Sequence, residues 1–162
     1  MALSPSTPAL IAQQLREAYS GKNWTWVWLK ETLADLHWEE ATIRIHNLNS
    51  IATLVFHINY YIEKQLEVLQ GKDLDGRDKD SFDLPPIESE AQWRALLDRL
   101  WKAANQWLAL VEAMPEEQLR QPFDRGKYGN WFRNLCGVVE HVHYHLGQIV
   151  LIRKMIRENN PS

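Results

Sequence analysis

Three of the six histidines lie within five residues, at positions 141, 143 and 145. In an α-helix, residues four apart lie one above the other, so His141 and His145 are expected to point the same way. His143 is expected to point roughly to the opposite side. Two imidazoles on one helical face can direct two nitrogen atoms at a single metal ion, and metal binding is the chemistry that this spacing favours.

A third candidate ligand, His57, lies far away in the sequence. It stands among Leu54, Ile58 and Tyr61, which recur at helical spacing and form an apolar stripe. The histidines at positions 141 and 145 also share a face with apolar side chains, so all three are expected to face a common core. Uncompensated polar rings in a core cost on the order of 1–3 kcal/mol each, and one ion gives all three a partner. Three nitrogen ligands with a fourth position open suit zinc, nickel, copper or iron better than magnesium or calcium.

The same residues allow a simpler interpretation, in which the histidines only pack. A histidine on an apolar face is commonly hydrogen-bonded to a neighbour, and a pair spaced by four can arise by chance. The zinc-protease motif HExxH needs glutamate directly after its first histidine, but Val142 occupies that place. Residues 140–143 spell ExxH, the unit that di-iron bundles use twice, and the chain has one copy. No general acid or base is therefore assigned, and Glu140 is expected off the ligand face.

Other residues suggest chemistry only weakly. An aspartate-rich stretch at 73–80 resembles a calcium loop, but Gly76 comes too early and no glutamate closes the loop. The single cysteine, Cys136, excludes an intrachain disulfide and is expected to be an inert, partly buried thiol. Eight tryptophans, including Trp24 and Trp28 at helical spacing, lack an accompanying run of Lys and Arg. They favour a core or a subunit interface over stacking on nucleic-acid bases.

Helical periodicity predicts the elements that position these residues. Residues 1–7 are expected to form a flexible tail, with Thr7 as N-cap and Pro8 in the first turn of the first helix. An apolar stripe from Trp24 to about Leu36 predicts a continuation of that helix or a second one. Further long helices are predicted at about 50–69, 90–111 and 131–158, with N-caps Ser50, Ser89 in a capping box, and Asn130.

Four long amphipathic helices without a strand pattern predict an all-α fold, most simply one four-helix-bundle domain over residues 1–162. The stretch 72–86 is predicted to be a long loop between the second and third long helices, because it is rich in Asp, Gly and Pro. A second loop, 122–131, enters the last helix and is expected to help shape a pocket.

Composition narrows the classes of function. With 45% hydrophobic residues and a net charge of −3, the chain is typical of a globular protein and does not favour nucleic acid or an anionic membrane as partner. No apolar run approaches the length of a membrane span, and the first residues lack the features of a secretory signal. The cytoplasm is the expected compartment, in keeping with the single cysteine.

The sequence resembles the DinB/YfiT-like superfamily of metal-dependent proteins. The resemblance is carried by His141-x-x-x-His145-Leu146-Gly147-Gln148-Ile149 in the last helix and by the segment Ile51–Ile58, which contains His57. It implies a four-helix bundle with an up-down-down-up course, often dimeric, that holds a divalent ion, zinc or nickel, through His57, His141 and His145. Gln148 is interpreted as a hydrogen-bonding group behind the ligands, and Gly147 as a place where the last helix approaches a neighbour.

The resemblance also implies a range of functions. Members act as thiol-dependent S-transferases or isomerases, or are assigned as hydrolases, so the chain is expected to activate a small thiol or water with its metal ion. A small-molecule substrate and a homodimer are expected, without nucleic acid or membrane as partner. The alternative is a non-enzymatic, stress-associated binding protein of the DNA-damage-inducible type, whose histidines bind metal weakly or only pack.

Overall fold

The computed structural model describes residues 4–159, which are all-helical and contain no β-strand. Their six α-helices are α1 (Thr7–Ser20), α2 (Leu29–Thr32), α3 (Trp38–Thr42), α4 (Ile51–Leu69), α5 (Glu90–Glu112) and α6 (Trp131–Asn159). Short 3-10 segments lie at Asp78–Phe82, Glu116–Arg120 and Asp124–Gly126. The prediction of an all-α fold is confirmed. Within the same range, no helix combines the length and the apolarity that crossing a membrane requires.

The four long helices surround a shared apolar core. Both α1 and α4 pack against α5 and α6. Fully buried side chains come from each of the four, including Leu15, Ile58, Trp107 and Ile149. Burying a large apolar side chain contributes roughly 1.5–3 kcal/mol. The core therefore holds α4 and α6, which carry the candidate ligands, against each other.

Three of the long helices begin at the N-caps that the sequence predicts. Ser50, Ser89 and Asn130 each accept a hydrogen bond from the backbone N–H three residues later, which satisfies a donor that the first turn leaves unpaired. The capping box at Ser89 differs from the expected one in the partner of its glutamine side chain. Gln92 Oε1 accepts from the backbone N–H of Glu88, one residue before the cap.

The start of α1 differs by one residue from the prediction. Ser6 is the N-cap, and its Oγ accepts from the backbone N–H of Ala9 at 3.4 Å. Thr7 is already helical, and its hydroxyl donates to Glu116 at 2.7 Å. Of the segment 1–7 that was expected to be a flexible tail, residues 1–3 lie outside the described residues.

The predicted helix from Trp24 to Leu36 is wrong over most of its length, since only Leu29–Thr32 is α-helical there. The amide side chain of Asn23 explains the break. Its Oδ1 accepts from the backbone N–H of Val27 and its Nδ2 donates to the Val27 carbonyl, which folds the intervening residues into a turn. Trp24 is consequently 96% exposed and is not part of a buried helical stripe.

Two connections frame the region of the histidines. The long loop between α4 and α5 contains the 3-10 segment Asp78–Phe82, which packs against α4. The loop before α6 is closed by a hydrogen bond of 2.9 Å from the backbone N–H of Phe123 to the carbonyl of Gly129. An isolated bridge joins Pro122 to Asn130 beside it.

Candidate metal centre

The structure brings together the three histidines that the sequence singles out. His57 comes from α4, and His141 and His145 from α6. Each offers a ring nitrogen, and these three atoms lie within 4.8 Å of one another. The Nε2 atoms of His57 and His141 are 3.0 Å apart. A second site is not formed by the aspartates of 73–80, because within residues 4–159 the three histidines are the one group that converges in this way.

Two of the three histidines are buried, and the third is partly exposed. His57 and His145 are 4% and 7% exposed, and His141 is half-buried. Burial, reinforced by His145, lowers the pKa of His57 to about 4 and that of His141 to about 3. Burial also lowers the pKa of His145. The three imidazoles are therefore neutral near pH 7, which is the form that binds a metal ion.

The hydrogen bond between His145 and Gln148 fixes which nitrogen of His145 is free. Its Nδ1 lies 2.7 Å from Oε1 of Gln148. An amide oxygen only accepts, so Nδ1 carries the hydrogen and Nε2 keeps its lone pair. Gln148 thus occupies the position expected of it, behind the ring and away from the other histidines.

His57 is held in the same way by a residue that the sequence analysis missed. The buried hydroxyl of Ser81 donates its hydrogen to the backbone carbonyl of Asp78. Its oxygen, 2.7 Å from His57 Nδ1, therefore accepts from that nitrogen. The Nε2 atom of His57 is left with a lone pair, directed at the other two rings.

The donor set fits a divalent transition-metal ion. Two Nε2 atoms carry lone pairs, and the third, on His141, faces His57 Nε2 at hydrogen-bonding distance. In the absence of an ion, His141 Nε2 must supply the hydrogen of that contact, and this hydrogen must move to Nδ1 for the ring to become a ligand. Three neutral imidazoles with one open side are a known arrangement for zinc and suit nickel, copper and iron.

Aromatic side chains enclose one side of the centre. Phe82 stacks on His57 with ring centroids 4.1 Å apart, and Tyr61 contacts His141 edge-on at 4.7 Å. The Tyr61 hydroxyl donates to Asp78 Oδ1 at 2.6 Å. Burial and this carboxylate raise the pKa of Tyr61, so the phenol stays neutral. The segment Asp78–Phe82 therefore supports the centre, although in sequence it shows only as part of an acidic loop.

A cleft of about 560 Å³ reaches the centre at His141 and is lined in part by Tyr61 and His141. The loop 122–131 contributes Lys127, Tyr128 and Gly129 to its wall, as the sequence analysis expected of that loop. Because His141 lines the cleft, the centre is accessible from it.

Two titratable residues near the motif lie outside the three-histidine group. Glu140 is exposed, in agreement with its expected position off the ligand face. Cys136 is half-buried, and burial together with Glu140 raises the pKa of its thiol. The protonated thiol is a poor nucleophile, so Cys136 is better understood as a packing residue.

The interpretation of Gly147 as a point of close helix approach is wrong. A Cβ atom built on Gly147 meets no heavy atom within 4 Å beyond its local backbone. Gly147 instead lines a separate groove with His143, on a different side of α6 from the three-histidine cluster. The position of His143 agrees with its expected direction.

An all-helical protein with three neutral histidines converging from two neighbouring helices defines the class of the molecule as a helical protein with a potential metal centre. A family model of the DinB superfamily matches residues 9–149, and the chain belongs to this superfamily. A search of curated proteins found no significant match.

The fold also occurs in a solved structure. The crystal structure described as the conserved protein of a locus from Enterococcus faecalis matches with a TM-score of 0.72 and 18% sequence identity. The match covers 96% of this chain and 99% of that chain. At this identity the likeness shows a shared fold and nothing about activity.

Proposed function

We propose that this chain holds a zinc or nickel ion through the Nε2 atoms of His57, His141 and His145 and uses it to activate a small thiol or water. In the proposed reaction the thiol or water gives up a proton, its sulfur or oxygen bonds to the electrophilic atom of a small molecule, and the leaving group of that molecule departs, as in thiol S-transferases and hydrolases. The observation that carries the proposal is the hydrogen bonding of His57 and His145, whose Nδ1 atoms are anchored so that Nε2 is free. Such partners behind metal-binding imidazoles fix ring orientation and tautomer.

The bound ion and the residues around the centre have different roles in this proposal. A bound divalent ion supplies Lewis acidity, which lowers the pKa of a thiol or water that it coordinates. Ser81 and Gln148 hold two of the rings in place, while Phe82 closes the side next to His57. The cleft beside His141 admits the reactants.

The up-down-down-up course is part of the proposal. Contacts between α4 and α5 advance along both helices together, from Phe56 with Arg99 to Gln65 with Trp107, which supports a parallel pair. Between α4 and α6 they run in opposite senses, from His57 with position 141 to Gln65 with position 134. A helix as long as α4 spans about 28 Å, and the connection to α5 is long enough to return over that distance.

A homodimer is also proposed. Large side chains are unusually exposed, with Trp24 at 96%, Trp26 at 73% and Tyr144 at 65%. Exposed aromatic groups of this kind are typical of protein interfaces. Sedimentation equilibrium of the full chain at micromolar concentration is expected to give twice the monomer mass, and the monomer mass would contradict the proposal.

A non-enzymatic binding protein is the second candidate. It is favoured by one observation, the exposure of Glu140, which leaves the centre without a carboxylate in the position of a general base on α6. In this case the same three histidines bind an ion or pack together, and no turnover follows.

Elemental analysis of tag-free protein tests the metal centre. Wild type incubated with zinc or nickel and then desalted is expected to hold close to one ion per chain, and His141→Ala close to none. His143→Ala is the matched control, since it removes a histidine of the same helix that points away from the centre. Retention of the ion by His141→Ala, or no ion in wild type, would overturn the proposal.

Product analysis separates the two reaction types from binding alone. Metal-loaded protein is incubated with a low-molecular-weight thiol and monobromobimane, and the conjugate is measured by chromatography. A conjugation rate well above that of His141→Ala supports the transferase. Hydrolysis of an amide or ester panel without a thiol supports the hydrolase, and no turnover in either assay supports the binding protein.

A further inference from the structure

The cleft beside the histidines has a positively charged wall. Lys127, in the loop before α6, and Arg133, in the first turn of α6, both line it together with His141. Neither Asp nor Glu is among the side chains that line the cleft. The chain as a whole carries a net charge of −3, so this wall differs in sign from the molecule around it.

Within residues 4–159, neither of the two cations is paired with a carboxylate, although Lys127 lies over the ring of Tyr128, 4.9 Å from its centroid. Arg125 of the same loop forms an ion pair with Asp73, whereas Lys127 and Arg133 form none within 4 Å among the described residues. Asp124, three residues before Lys127, helps to raise the pKa of Lys127 by its charge but does not pair with it, and its Oδ1 accepts from the backbone N–H of Leu74. Cations without a carboxylate partner, placed at the wall of a concave site, attract anionic ligands.

The loop that carries this wall is preformed. Its backbone is closed by the bond from Phe123 to Gly129, and the Asn134 side chain donates to the carbonyl of Tyr128 at 3.0 Å. Gly129 has a φ of +87°, and a Cβ atom there would lie 3.0 Å from Cδ of Arg133. Glycine at this position therefore both allows the turn and leaves room for the arginine side chain.

We propose that Lys127 and Arg133 bind the carboxylate or phosphate group of the small molecule on which the histidine centre acts. The assignment rests on the proposed function and names its substrate class, an organic anion. The cleft has the volume usual for small-molecule sites, and Tyr61 and Tyr128 give it aromatic walls for the apolar part of the ligand. The anionic group lies at the loop, and the group to be activated faces His141.

Isothermal titration calorimetry on the full chain tests this assignment with a probe whose thiol is blocked. S-Methylglutathione carries two carboxylates, its diethyl ester carries none, and phenyl phosphate tests a phosphate on an aromatic ring. We expect S-methylglutathione or phenyl phosphate to bind, with the stronger of the two identifying the anionic group. The diethyl ester is expected to bind at least tenfold more weakly than S-methylglutathione if the carboxylate is recognised.

A pair of double variants separates a local site from overall charge. Lys127→Gln combined with Arg133→Gln is expected to weaken binding of the preferred probe at least tenfold. Arg44→Gln combined with Lys102→Gln removes the same charge from exposed positions that do not line the cleft and is expected to leave affinity within twofold. Equal weakening by both pairs, or no binding of either anionic probe to wild type, would overturn the assignment.

Two controls distinguish a wrong assignment of the anion site from a wrong assignment of the metal centre. The titrations are run on the protein as purified and after treatment with a chelator, since anion binding by the two cations does not require the ion. The Lys127 and Arg133 variant is also expected to hold as much metal as wild type. Loss of metal from this variant would contradict a role confined to substrate binding.

Discussion

Helix α4 carries two polar clusters about two turns apart, and they are built differently. At Gln65, Nε2 donates to the carbonyl of Asn134 on α6, and Oε1 accepts from the indole of Trp107 on α5. Each end of this buried amide has a partner within the protein. At His57, Nδ1 is bonded to Ser81, but Nε2 faces another ring nitrogen.

This difference indicates that the Gln65 cluster is structural and that the His57 cluster is a ligand site. A polar group inside a core is stabilising only when it is hydrogen-bonded, and the Gln65 cluster meets this condition without help. In the histidine cluster, the Nδ1 atoms of His57 and His145 are hydrogen-bonded, but on the inner side the ring nitrogens face one another instead of other polar groups of the protein. We infer that the first cluster stabilises the fold in every state, whereas the second gains its full stability when an ion is bound.

The largest expected effect is stabilisation by metal. A free-ion concentration about 1,000 times Kd raises the free energy of unfolding of wild type by about 4 kcal/mol if only the folded state binds. Urea denaturation with and without zinc measures this increment. His141→Ala should lose the increment, while Gln65→Leu should keep it, and the comparison fails if both variants respond alike.

The next largest effect is expected from removing the hydrogen bonds of Gln65. Gln65→Leu leaves the buried Trp107 indole without an acceptor and is expected to lower the free energy of unfolding by about 1–3 kcal/mol, with or without metal. Gln13→Leu, on the exposed face of α1, serves as the control and should change stability by less than about 0.5 kcal/mol. A Gln65 loss no larger than that of the control would show that these hydrogen bonds are dispensable.

Loss of the Ser81 hydroxyl should act on metal affinity. Ser81→Ala removes the acceptor for His57 Nδ1 and is expected to weaken zinc binding about 10- to 100-fold. Competition with a chromophoric chelator measures this change. Ser20→Ala, whose hydroxyl donates to the carbonyl of Arg16 on α1, is the control with unchanged affinity. Wild-type affinity in Ser81→Ala would mean that the orientation of His57 does not depend on this bond.

The smallest effect concerns pH in the metal-free protein. The pKa values of His57 and His141 are lowered to about 4 and about 3, so between about pH 6.5 and 4 the unfolded chain binds more protons than the folded chain. Stability should therefore fall on acidification through this range. His57→Leu should make that fall less steep, and His46→Asn, at an exposed position, should not. Equal pH profiles for wild type and His57→Leu would contradict burial of a neutral ring.

The three candidate ligands can be predicted from the sequence because they lie on helices. The spacing of His141 and His145 and the apolar neighbours of His57 determine which faces these rings occupy, and packing of the faces brings the rings together. Ser81 could not be predicted, because it lies in a loop whose path depends on tertiary contacts such as those of Tyr61 with Asp78. Gln148 could be predicted, since it follows His145 by three residues on the same helix.

The helices likewise differ in how well local sequence predicts them. The long helices from Ser50, Ser89 and Trp131 have caps and apolar stripes that define them locally. The segment after Asn23 has an equally apolar pattern, but a side-chain amide that bonds its own backbone competes with the helix and prevails. Periodicity alone does not show which of these two local preferences is stronger.

The most direct test is a crystal structure of the zinc- or nickel-loaded chain, with the ion located by anomalous scattering at its absorption edge. The account predicts one peak per chain, about 2.0–2.1 Å from the Nε2 atoms of His57, His141 and His145 for zinc, with Ser81 and Gln148 still bonded to the Nδ1 atoms. An ion bound elsewhere, or His57 and His141 still hydrogen-bonded to each other in metal-saturated crystals, would contradict it.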